Sequence, residues 1–369
     1  MTLHRRSFLM GSAAAGSLAA AQSADPIPTA VIGTGNRGAY MMRTVLAQPG
    51  VKLVALCDIK PDRLDKAASA ASRDNPATFT DYRRVLERAD VQAVHISTPC
   101  DLHVEMVIAA LKAGKHVYCE KPLGITPDSI AELVRVAQES KLVLQVGQQM
   151  RASSRLRETI ARIHEGVAGK VVMIKAQRHA SDDLDHDGSS ADWFFDPKRS
   201  GDVIVEMSVH NLDVCNWAAN QHPERAAGFG GNLVYVNDPP GRTNMDGYTL
   251  SYEYANGIKL SYTQVFFHPG GLSNGGQYTH VFGTDGAVDL NNATFYPKSR
   301  GAKPAVLAEP RKEGLDELHV RDFYECIRTG KKPQADLLVG ATGALTAILG
   351  REAIYNRRVM EWKDFGVNL

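Results

Sequence analysis

Two separate segments of this 369-residue chain carry acidic, basic and imidazole side chains at spacings that suit proton-transfer chemistry. Glu120-Lys121-Pro122 follows a short apolar run, and Glu206 stands four residues before His210. On a helix, Glu206 and His210 would share one face. Oxidation of an alcohol needs a base of near-neutral pKa at the hydroxyl and a cation that stabilises the alkoxide. His210 suits the base and Lys121 the cation, so we predict that Lys121, His210 and Glu206 are catalytic.

A glycine-rich loop lies upstream of both segments, between a predicted strand and a predicted helix. It reads Gly33-Thr34-Gly35-Asn36-Arg37-Gly38. Glycines at these spacings permit a tight turn, close approach of backbone to a pyrophosphate, and packing of the helix on the strand. Asp58 ends the next predicted strand, 20 residues after Gly38, where a carboxylate would bind ribose hydroxyls. The loop predicts a dinucleotide site, and Asp58 favours NAD because it would repel a 2′-phosphate, although Lys60 and Arg63 keep NADP open.

Apolar strands alternate with amphipathic helices from residue 25 to residue 149, which predicts a doubly wound parallel sheet. In such a sheet the carboxyl ends of the strands meet the ligand. Ser97-Thr98-Pro99 and Glu120-Lys121-Pro122 both end predicted strands and are therefore placed beside the cofactor. Glu120 is interpreted as either a cofactor contact or a capping carboxylate. His103 opens the following helix and suits a core or cap position near the cofactor better than catalysis. The predicted cofactor-binding residues are Gly33, Thr34, Gly35, Asn36, Arg37, Gly38, Asp58, Ser97, Thr98, Pro99, His103, Glu120 and Lys121.

Residues 150–369 have a different pattern, typical of an α+β domain with a mostly antiparallel sheet. Strands are predicted at 171–177, 232–236, 248–254, 259–266 and 278–283, with a hairpin turn at Asn256-Gly257. Helices at 317–329 and 337–355 are expected to pack beside this sheet. The polar segment 181–201 carries Trp193, which is either a platform for a sugar ring or a plug between the domains. Its acidic stretch is interpreted as solvated and no metal site is predicted; this stretch comprises Asp182, Asp183, Asp185, His186 and Asp187.

Composition and the N-terminus narrow the class of protein. A formal net charge of +1 gives no reason to expect nucleic acid or anionic lipid as a partner. The five cysteines are scattered without CxxC spacing, so neither a disulfide framework nor a zinc site is expected. Arg5-Arg6 and the following small and apolar residues are typical of a Tat signal peptide over 1–24. We therefore expect a bacterial periplasmic protein without a membrane anchor in its mature form. The Tat machinery would export it folded, with its cofactor already bound and tightly retained.

The glycine loop, Asp58, Ser97-Thr98-Pro99, the run from Ala113 to Pro122 and the His210 segment together resemble the glucose-fructose oxidoreductase / inositol dehydrogenase / rhizopine-catabolism (Gfo/Idh/MocA) family. The resemblance is dense over residues 28–150. It implies a Rossmann domain followed by a domain with a large open-faced sheet, which binds substrate and joins subunits into homodimers or homotetramers. The chain departs from the family pattern at Glu206 and Ser208, where Asp and Gly are common. Substrate contacts are expected from Lys121, Trp193, Glu206, His210 and Asn211.

Three functions fit these residues. The first is an NAD(P)-dependent oxidoreductase that acts on a hydroxyl of a sugar, cyclitol or glycoside and keeps its cofactor. The alternative is a glycoside hydrolase or lyase in which transient oxidation acidifies a neighbouring C–H, a base eliminates the glycosidic group, water adds, and the hydride returns. A binding or sensing protein is the third, and the presence of both Lys121 and His210 argues against it.

Overall fold

The computed structural model describes residues 25–181, 192–272 and 276–369. The predicted Tat leader (1–24) and the acidic stretch of 182–191 lie outside the described residues.

The first domain is built on a six-stranded parallel sheet. Its strand order is β3-β2-β1-β4-β5-β6, the order of a dinucleotide-binding Rossmann fold, which confirms the predicted doubly wound sheet. The sheet is covered on both faces, so its strands read as continuous apolar runs; all four residues of Ala93–Ile96 are buried. The elements are β1 (Ile27–Ile32), α1 (Asn36–Leu46), β2 (Val51–Cys57), α2 (Pro61–Ala70), β3 (Ala77–Phe79), α3 (Tyr82–Leu86), β4 (Ala93–Ile96), α4 (His103–Lys112), β5 (His116–Cys119), α5 (Pro127–Gln138) and β6 (Leu144–Val146).

The second domain contains a nine-stranded sheet of order β14-β13-β12-β11-β7-β10-β9-β8-β15. The pairing of β10 with β7 is parallel and the other ladders are antiparallel, as the sequence predicted for most of this sheet. The elements are α6 (Ser154–His164), β7 (Val171–His179), α7 (Pro197–Ser200), α8 (Val203–Ala219), β8 (Pro223–Gly231), β9 (Gly247–Tyr254), β10 (Lys259–Val265), β11 (Gln277–Gly283), β12 (Gly286–Asp289), β13 (Thr294–Pro297), β14 (Ala305–Val306), α9 (Leu315–Thr329), α10 (Leu337–Tyr355) and β15 (Met360–Glu361).

One predicted strand is wrong. Residues 232–236 are apolar enough for a strand, but the strand in this region is β8, which ends at Gly231. The backbone N–H groups of Leu233, Val234 and Tyr235 donate instead to the carboxylate of Asp246, at 2.7, 2.9 and 2.8 Å. Because this carboxylate accepts hydrogen bonds from three successive backbone N–H groups, these groups need no hydrogen bonds from a neighbouring strand. An apolar pattern therefore does not form a strand here.

One of the two long C-terminal helices, α10, packs as predicted, and the other, α9, does not. Only α10 lies against the large sheet, where it contacts β8 and α8. Helix α9 instead packs on the Rossmann sheet, where Phe323 and Val320 join the apolar cluster of Val31 and Met41. The chain thus returns to complete the first domain's core. Among the described residues, α10 alone is long and apolar enough to cross a membrane, but 72% of its most apolar stretch is buried inside the protein.

Docking of α9 on the Rossmann sheet buries two neutral histidines. His95 lies 3.0 Å from the Tyr324 hydroxyl, and His319 lies 3.0 Å from the Val146 carbonyl. Burial lowers the pKa of His95 to about 3 and that of His319 to about 4. Both values lie below the usual histidine pKa of about 6.5, so the unfolded chain binds these protons first as the pH falls.

We therefore expect the free energy of unfolding to fall as the pH drops from about 6.5 towards about 4, by about 1.4 kcal/mol per pH unit for each histidine. Urea unfolding at pH 7, 6 and 5 measures this slope. A His319→Gln variant lacks one of the two histidines. When its free energy of unfolding is expressed relative to its own value at pH 7, it should fall less steeply with decreasing pH than that of wild type. Equal stability of wild type at pH 7 and pH 5 would contradict neutral burial.

Candidate active site

A cavity of about 840 Å³ opens at the carboxyl ends of the parallel strands and extends to the second domain. Its Rossmann side includes the glycine loop, the end of β2, Ser97-Thr98-Pro99 and Glu120-Lys121. Trp193, Phe194 and Phe266 of the second domain line its other side. The structure thus brings nearly all the predicted cofactor residues to one crevice between the domains. Thr34 and Gly38 do not line the cavity. Thr34 donates hydrogen bonds to Asp58, and Gly38 packs against the backbone of Gly33.

The glycine loop has the shape that a dinucleotide requires. Gly33 has φ +87°, and a Cβ there would lie 2.5 Å from the Ser97 carbonyl oxygen. A Cβ on Gly38 would lie 1.8 Å from the Gly33 carbonyl oxygen. On Gly35, by contrast, a Cβ would approach only the mobile end of Arg63, with Nη1 at 3.3 Å. Gly33 and Gly38 are therefore needed for packing, whereas at Gly35 only the end of the Arg63 side chain limits a Cβ, on the side of the cavity where a pyrophosphate would fit.

Alanine variants of Gly38 and Gly35 are expected to have different effects. Gly38→Ala should lower the melting temperature, because the clash forces backbone to move at a cost of about 1–3 kcal/mol. Gly35→Ala should fold normally but bind NADH more weakly, because its methyl group occupies the space of the pyrophosphate. Thermal melting and NADH fluorescence titration separate the two effects. Normal NADH affinity of Gly35→Ala would show that the pyrophosphate lies elsewhere.

Asp58 supports the loop as well as lining the cavity. Its Oδ2 accepts hydrogen bonds from the Thr34 backbone N–H and hydroxyl, at 2.7 and 3.0 Å. Its Oδ1 accepts from the Lys60 backbone N–H at 2.9 Å. Each carboxylate oxygen can accept two hydrogen bonds, so Oδ1 retains capacity for a ribose hydroxyl. The side chain is only 7% exposed and is held in one orientation.

Arg37 joins the loop to the catalytic segment. Its Nε donates to Glu120 Oε1 at 2.8 Å, and its Nη2 pairs with Asp316 of α9 at 2.5 Å. Glu120 is nearly buried and lines the cavity, so its charge is compensated by Arg37. Both interpretations offered for Glu120, a cofactor contact and a capping carboxylate, stay predictions.

His103 holds two loops of the cavity wall together. Its Nδ1 lies 2.7 Å from the Pro122 carbonyl oxygen and its Nε2 lies 2.9 Å from that of Thr98. Burial lowers its pKa, so a neutral ring donates to one carbonyl at a time. His103 therefore fixes Thr98 relative to Pro122, in keeping with the core or cap position expected for it.

Lys121 and Glu206 form an ion pair between the domains. The Lys121 ammonium donates to the Glu206 carboxylate and, at 2.7 Å, to the Glu206 backbone carbonyl. Both side chains are about 15% exposed and line the cavity. A pair of this burial holds the lysine in one place and balances its charge. The first turn of α8 is thus fixed to the end of β5.

His210 follows one turn later on α8 and is oriented by a residue that the sequence analysis missed. Its Nδ1 lies 3.0 Å from Gln148 Oε1, so Nδ1 carries the proton and Nε2 is free to accept one. Burial and then the positive charges of Lys121 and Arg178 lower the pKa of His210 well below its usual value. His210 is therefore a neutral imidazole with an available lone pair, the state that a general base requires.

The two remaining predicted substrate residues lie in different environments. Trp193 is half-buried, lines the cavity and packs edge-on against Phe194 with ring centroids 5.8 Å apart. It lines the cavity together with residues of both domains, so platform and plug are both compatible with its position. Asn211 is fully buried and does not line the cavity, and neither of its side-chain polar atoms has a hydrogen-bond partner among the residues described. Its role in substrate binding stays a prediction.

Comparison with known proteins places this site in a family. The domain described as "Oxidoreductase family, NAD-binding Rossmann fold" matches residues 27–148, and the "GFO/IDH/MocA C-terminal domain" matches residues 156–289. The chain belongs to the Gfo/Idh/MocA family. The predicted family, fold class and oxidoreductase class are thereby confirmed. The same match makes the first domain an NAD-binding Rossmann domain, whereas the glycine loop as the site of the cofactor stays a prediction.

Relatives within the Gfo/Idh/MocA family have different activities. A glycosyl hydrolase family 109 protein of Saccharopolyspora erythraea is 32% identical over 155 residues, which is 40% of this chain and 34% of that protein. The chain therefore spans about a third of that relative's length. Myo-inositol 2-dehydrogenase of Thermotoga maritima is 23% identical over 88% of this chain and 94% of its own. Levoglucosan dehydrogenase, solved in complex with NADH, has the same fold with a TM-score of 0.79, at 18% identity over 91% of this chain and 99% of its own.

Three site residues were missed, and a signal existed for one of them. Gln148 lies two residues after the end of β6, so the rule that strand ends line the crevice points to it. Arg151 makes a two-pronged ion pair with buried Asp213 of α8, with both contacts at 2.8 Å, and fixes the turn that carries Gln148 to the helix. The position of Arg178 relative to His210 depends on the pairing of β7 with strands that are distant in sequence, and no local sequence pattern predicts that pairing.

Proposed function

We propose that this protein oxidises a hydroxyl of a sugar, cyclitol or glycoside, with hydride transfer to a bound NAD. The observation that carries this proposal is that Lys121 lines a cavity that fits a dinucleotide and is ion-paired to Glu206, one helical turn before an oriented His210. His210 does not itself line that cavity, but the charge of Lys121 contributes to its lowered pKa. NAD is favoured over NADP because Asp58 meets the ribose side of the cavity with a negative charge.

The residues divide the proton chemistry between them. When bound, the nicotinamide supplies the acceptor for hydride from the carbinol carbon. His210 Nε2 removes the hydroxyl proton, because Nδ1 is engaged by Gln148. The Lys121 ammonium donates a hydrogen bond to the same oxygen and stabilises its developing charge. Glu206 holds that ammonium in place, and Trp193 covers the apolar face of the ring.

A redox-neutral glycoside cleavage is the second candidate. The match to a glycosyl hydrolase family 109 protein favours it. The same first oxidation would acidify the neighbouring C–H, and a base would then eliminate the glycosidic group. Water would add to the resulting unsaturated ketone, and the hydride would return from the reduced nicotinamide to the carbonyl carbon, so no net oxidation occurs.

A panel of sugars and aryl glycosides separates these functions, with reduced nicotinamide and released aglycone measured together. Reduced nicotinamide without aglycone release supports net oxidation. Aglycone release with a steady nicotinamide absorbance supports the cleavage cycle. No response with any member of a broad panel would contradict both and favour a binding protein.

We also propose that the protein is exported by the Tat machinery to the periplasm and carries its cofactor with it. Two ion pairs support retention, because they tie the Trp193 segment to the Rossmann domain: Lys60 with Asp192 at 3.0 Å and Arg199 with Asp101 at 3.4 Å. Extraction of extensively dialysed protein should release NAD or NADH in near-stoichiometric amount. Protein without nucleotide would contradict retention, and an Arg5→Lys/Arg6→Lys variant that still reaches the periplasm would contradict Tat export.

The open face of the nine-stranded sheet is proposed as the contact between subunits of a homodimer or homotetramer. Strand register places Met173, Phe282 and Tyr296 in one row across this face, and all three are more than 35% exposed. An exposed apolar row of this kind is typical of an interface. Sedimentation of wild type and of Phe282→Glu should give an oligomer and a smaller species. Monomeric wild type would contradict the proposal.

A further inference from the structure

Arg178 is a cation of the second domain to which none of the functions above gives a role. It lies on β7, where the alternation of side chains puts it on the same face as buried Ile174 and Ala176. This is the face that α8 covers. Lys175 on the same strand points to the opposite, open face and is exposed. Arg178 is therefore directed into the protein, towards the helix that carries Glu206 and His210.

No carboxylate of residues 25–181, 192–272 or 276–369 pairs with Arg178. Its Nη1 donates to Gln277 Oε1 at 3.0 Å, whereas its Nε is buried and has no hydrogen-bond partner. Within the described part of the chain it makes no ion pair. The other cations of this region are all paired: Lys121 with Glu206, Arg151 with Asp213, and Arg37 with Glu120 and Asp316. A half-buried guanidinium with an unpaired N–H raises the free energy of the folded state unless an anion accepts a hydrogen bond from it.

Strand pairing places Arg178 near the helix that carries His210, because Arg178 lies opposite Gln264 of β10, whose Oε1 accepts a hydrogen bond from the Ser208 hydroxyl. The charge of Arg178 contributes to the lowered pKa of His210, after burial and Lys121. It also acts on Tyr262, whose hydroxyl donates to Ser208 at 2.7 Å, two residues before His210. Gln277, which holds the guanidinium, lies 3.9 Å from the sulfur of Met150, in the turn that follows Gln148. Arg178 thus lies between the sheet and the two segments that hold the imidazole.

We propose that Arg178 binds an anionic group of the substrate, a carboxylate, and so selects sugar acids over neutral sugars. This inference rests on the proposed function for the class of substrate. Arginine presents parallel N–H donors that match a carboxylate. The orphaned Nε and the remaining Nη2 are adjacent donors on one edge of the guanidinium, while Gln277 occupies Nη1 and sets the orientation.

Binding of sugar acids to the NADH-loaded protein tests this assignment directly. The probes are D-glucuronate, D-galacturonate and N-acetylneuraminate, each compared with its own uncharged methyl ester by isothermal titration calorimetry. Wild type should bind at least one acid about 10-fold or more tightly than its ester, the value of one charge-assisted hydrogen bond. In Arg178→Gln this ratio should fall towards one, and Arg178→Lys should keep part of it. Lys175→Gln removes the same charge from the other face of β7 and should keep the full ratio.

Failure of the inference is distinguishable from failure of the proposed function. Equal binding of acid and ester by wild type, no binding of any acid, or a preference that survives in Arg178→Gln would each overturn the role of Arg178. Formation of reduced nicotinamide is measured separately on the same proteins. A protein that oxidises neutral sugars and ignores acids would uphold the function and refute this inference. If an acid binds in an Arg178-dependent manner but no compound of a broad panel reduces the nicotinamide, the inference about Arg178 is upheld and the proposed function is refuted.

Discussion

Lys121→Met is expected to lower kcat/KM for alcohol oxidation by about 1,000-fold or more while NADH still binds. Loss of an oriented donor to a developing oxyanion costs about 100- to 1,000-fold. The variant also leaves the carboxylate of Glu206 without its cation, and that carboxylate now faces the position of the alkoxide. Like charges there should raise the barrier further. Steady-state kinetics on any accepted sugar, with NADH affinity from fluorescence, measures both quantities.

Two variants distinguish this effect from a loss of folding. Lys121→Met/Glu206→Gln removes both charges of the ion pair, so it should recover stability relative to Lys121→Met without recovering activity. Lys175→Met removes an exposed lysine of the open sheet face and should retain normal rates. If Lys121→Met turns over at more than about one-tenth of the wild-type rate, the ammonium is not in contact with the reacting oxygen.

His210→Asn is expected to reduce kcat/KM by about 100- to 10,000-fold, the usual contribution of a general base. Gln148→Leu should reduce it less, because the imidazole remains but its tautomer is no longer selected. An effect on kcat/KM without loss of NADH binding or melting temperature is expected in both variants. Activity of His210→Asn close to that of wild type would assign the base to another group.

The pH profile provides an independent check on His210. Its pKa is lowered, so the unprotonated base persists to a pH below the usual histidine value of about 6.5. We expect kcat/KM to stay level as the pH falls past 6.5 and to decline only below it. Removal of the neighbouring charge in Arg178→Gln should move that decline to higher pH. A decline centred at or above 6.5 in wild type would contradict a buried, neutral imidazole.

The Rossmann half of the site could be predicted because its geometry is local. Gly33, Gly35 and Gly38 lie within one turn, and Asp58 and Lys121 end strands whose parallel order follows from alternating strands and helices. The direction of the sheet then places these side chains at one edge. The spacing of Glu206 and His210 likewise defined a face of α8 before any tertiary contact was known.

The parts that could not be predicted depend on contacts between distant segments. The apolar residues of 232–236 would suit a strand, but Asp246 captures their N–H groups. Helix α9 has an ordinary amphipathic pattern, and that pattern does not say which sheet it will cover. Arg178 becomes relevant only when β7 pairs with β10 and β11 beneath α8. Periodicity shows that a face is apolar, whereas the partner of that face is a property of the whole fold.

Transfer of deuterium tests the central claim most directly, namely that Lys121 and His210 act on one alcohol carbon facing the nicotinamide. Perdeuterated sugars and aryl glycosides would be incubated with NAD-loaded wild type and with Lys121→Met, and the nicotinamide analysed by mass spectrometry. We predict that one deuterium appears on the nicotinamide of wild type, and that label appears at least about 1,000-fold more slowly on that of Lys121→Met. Equal labelling in both proteins, or no labelling in wild type on a substrate that it converts, would contradict the assignment of this site.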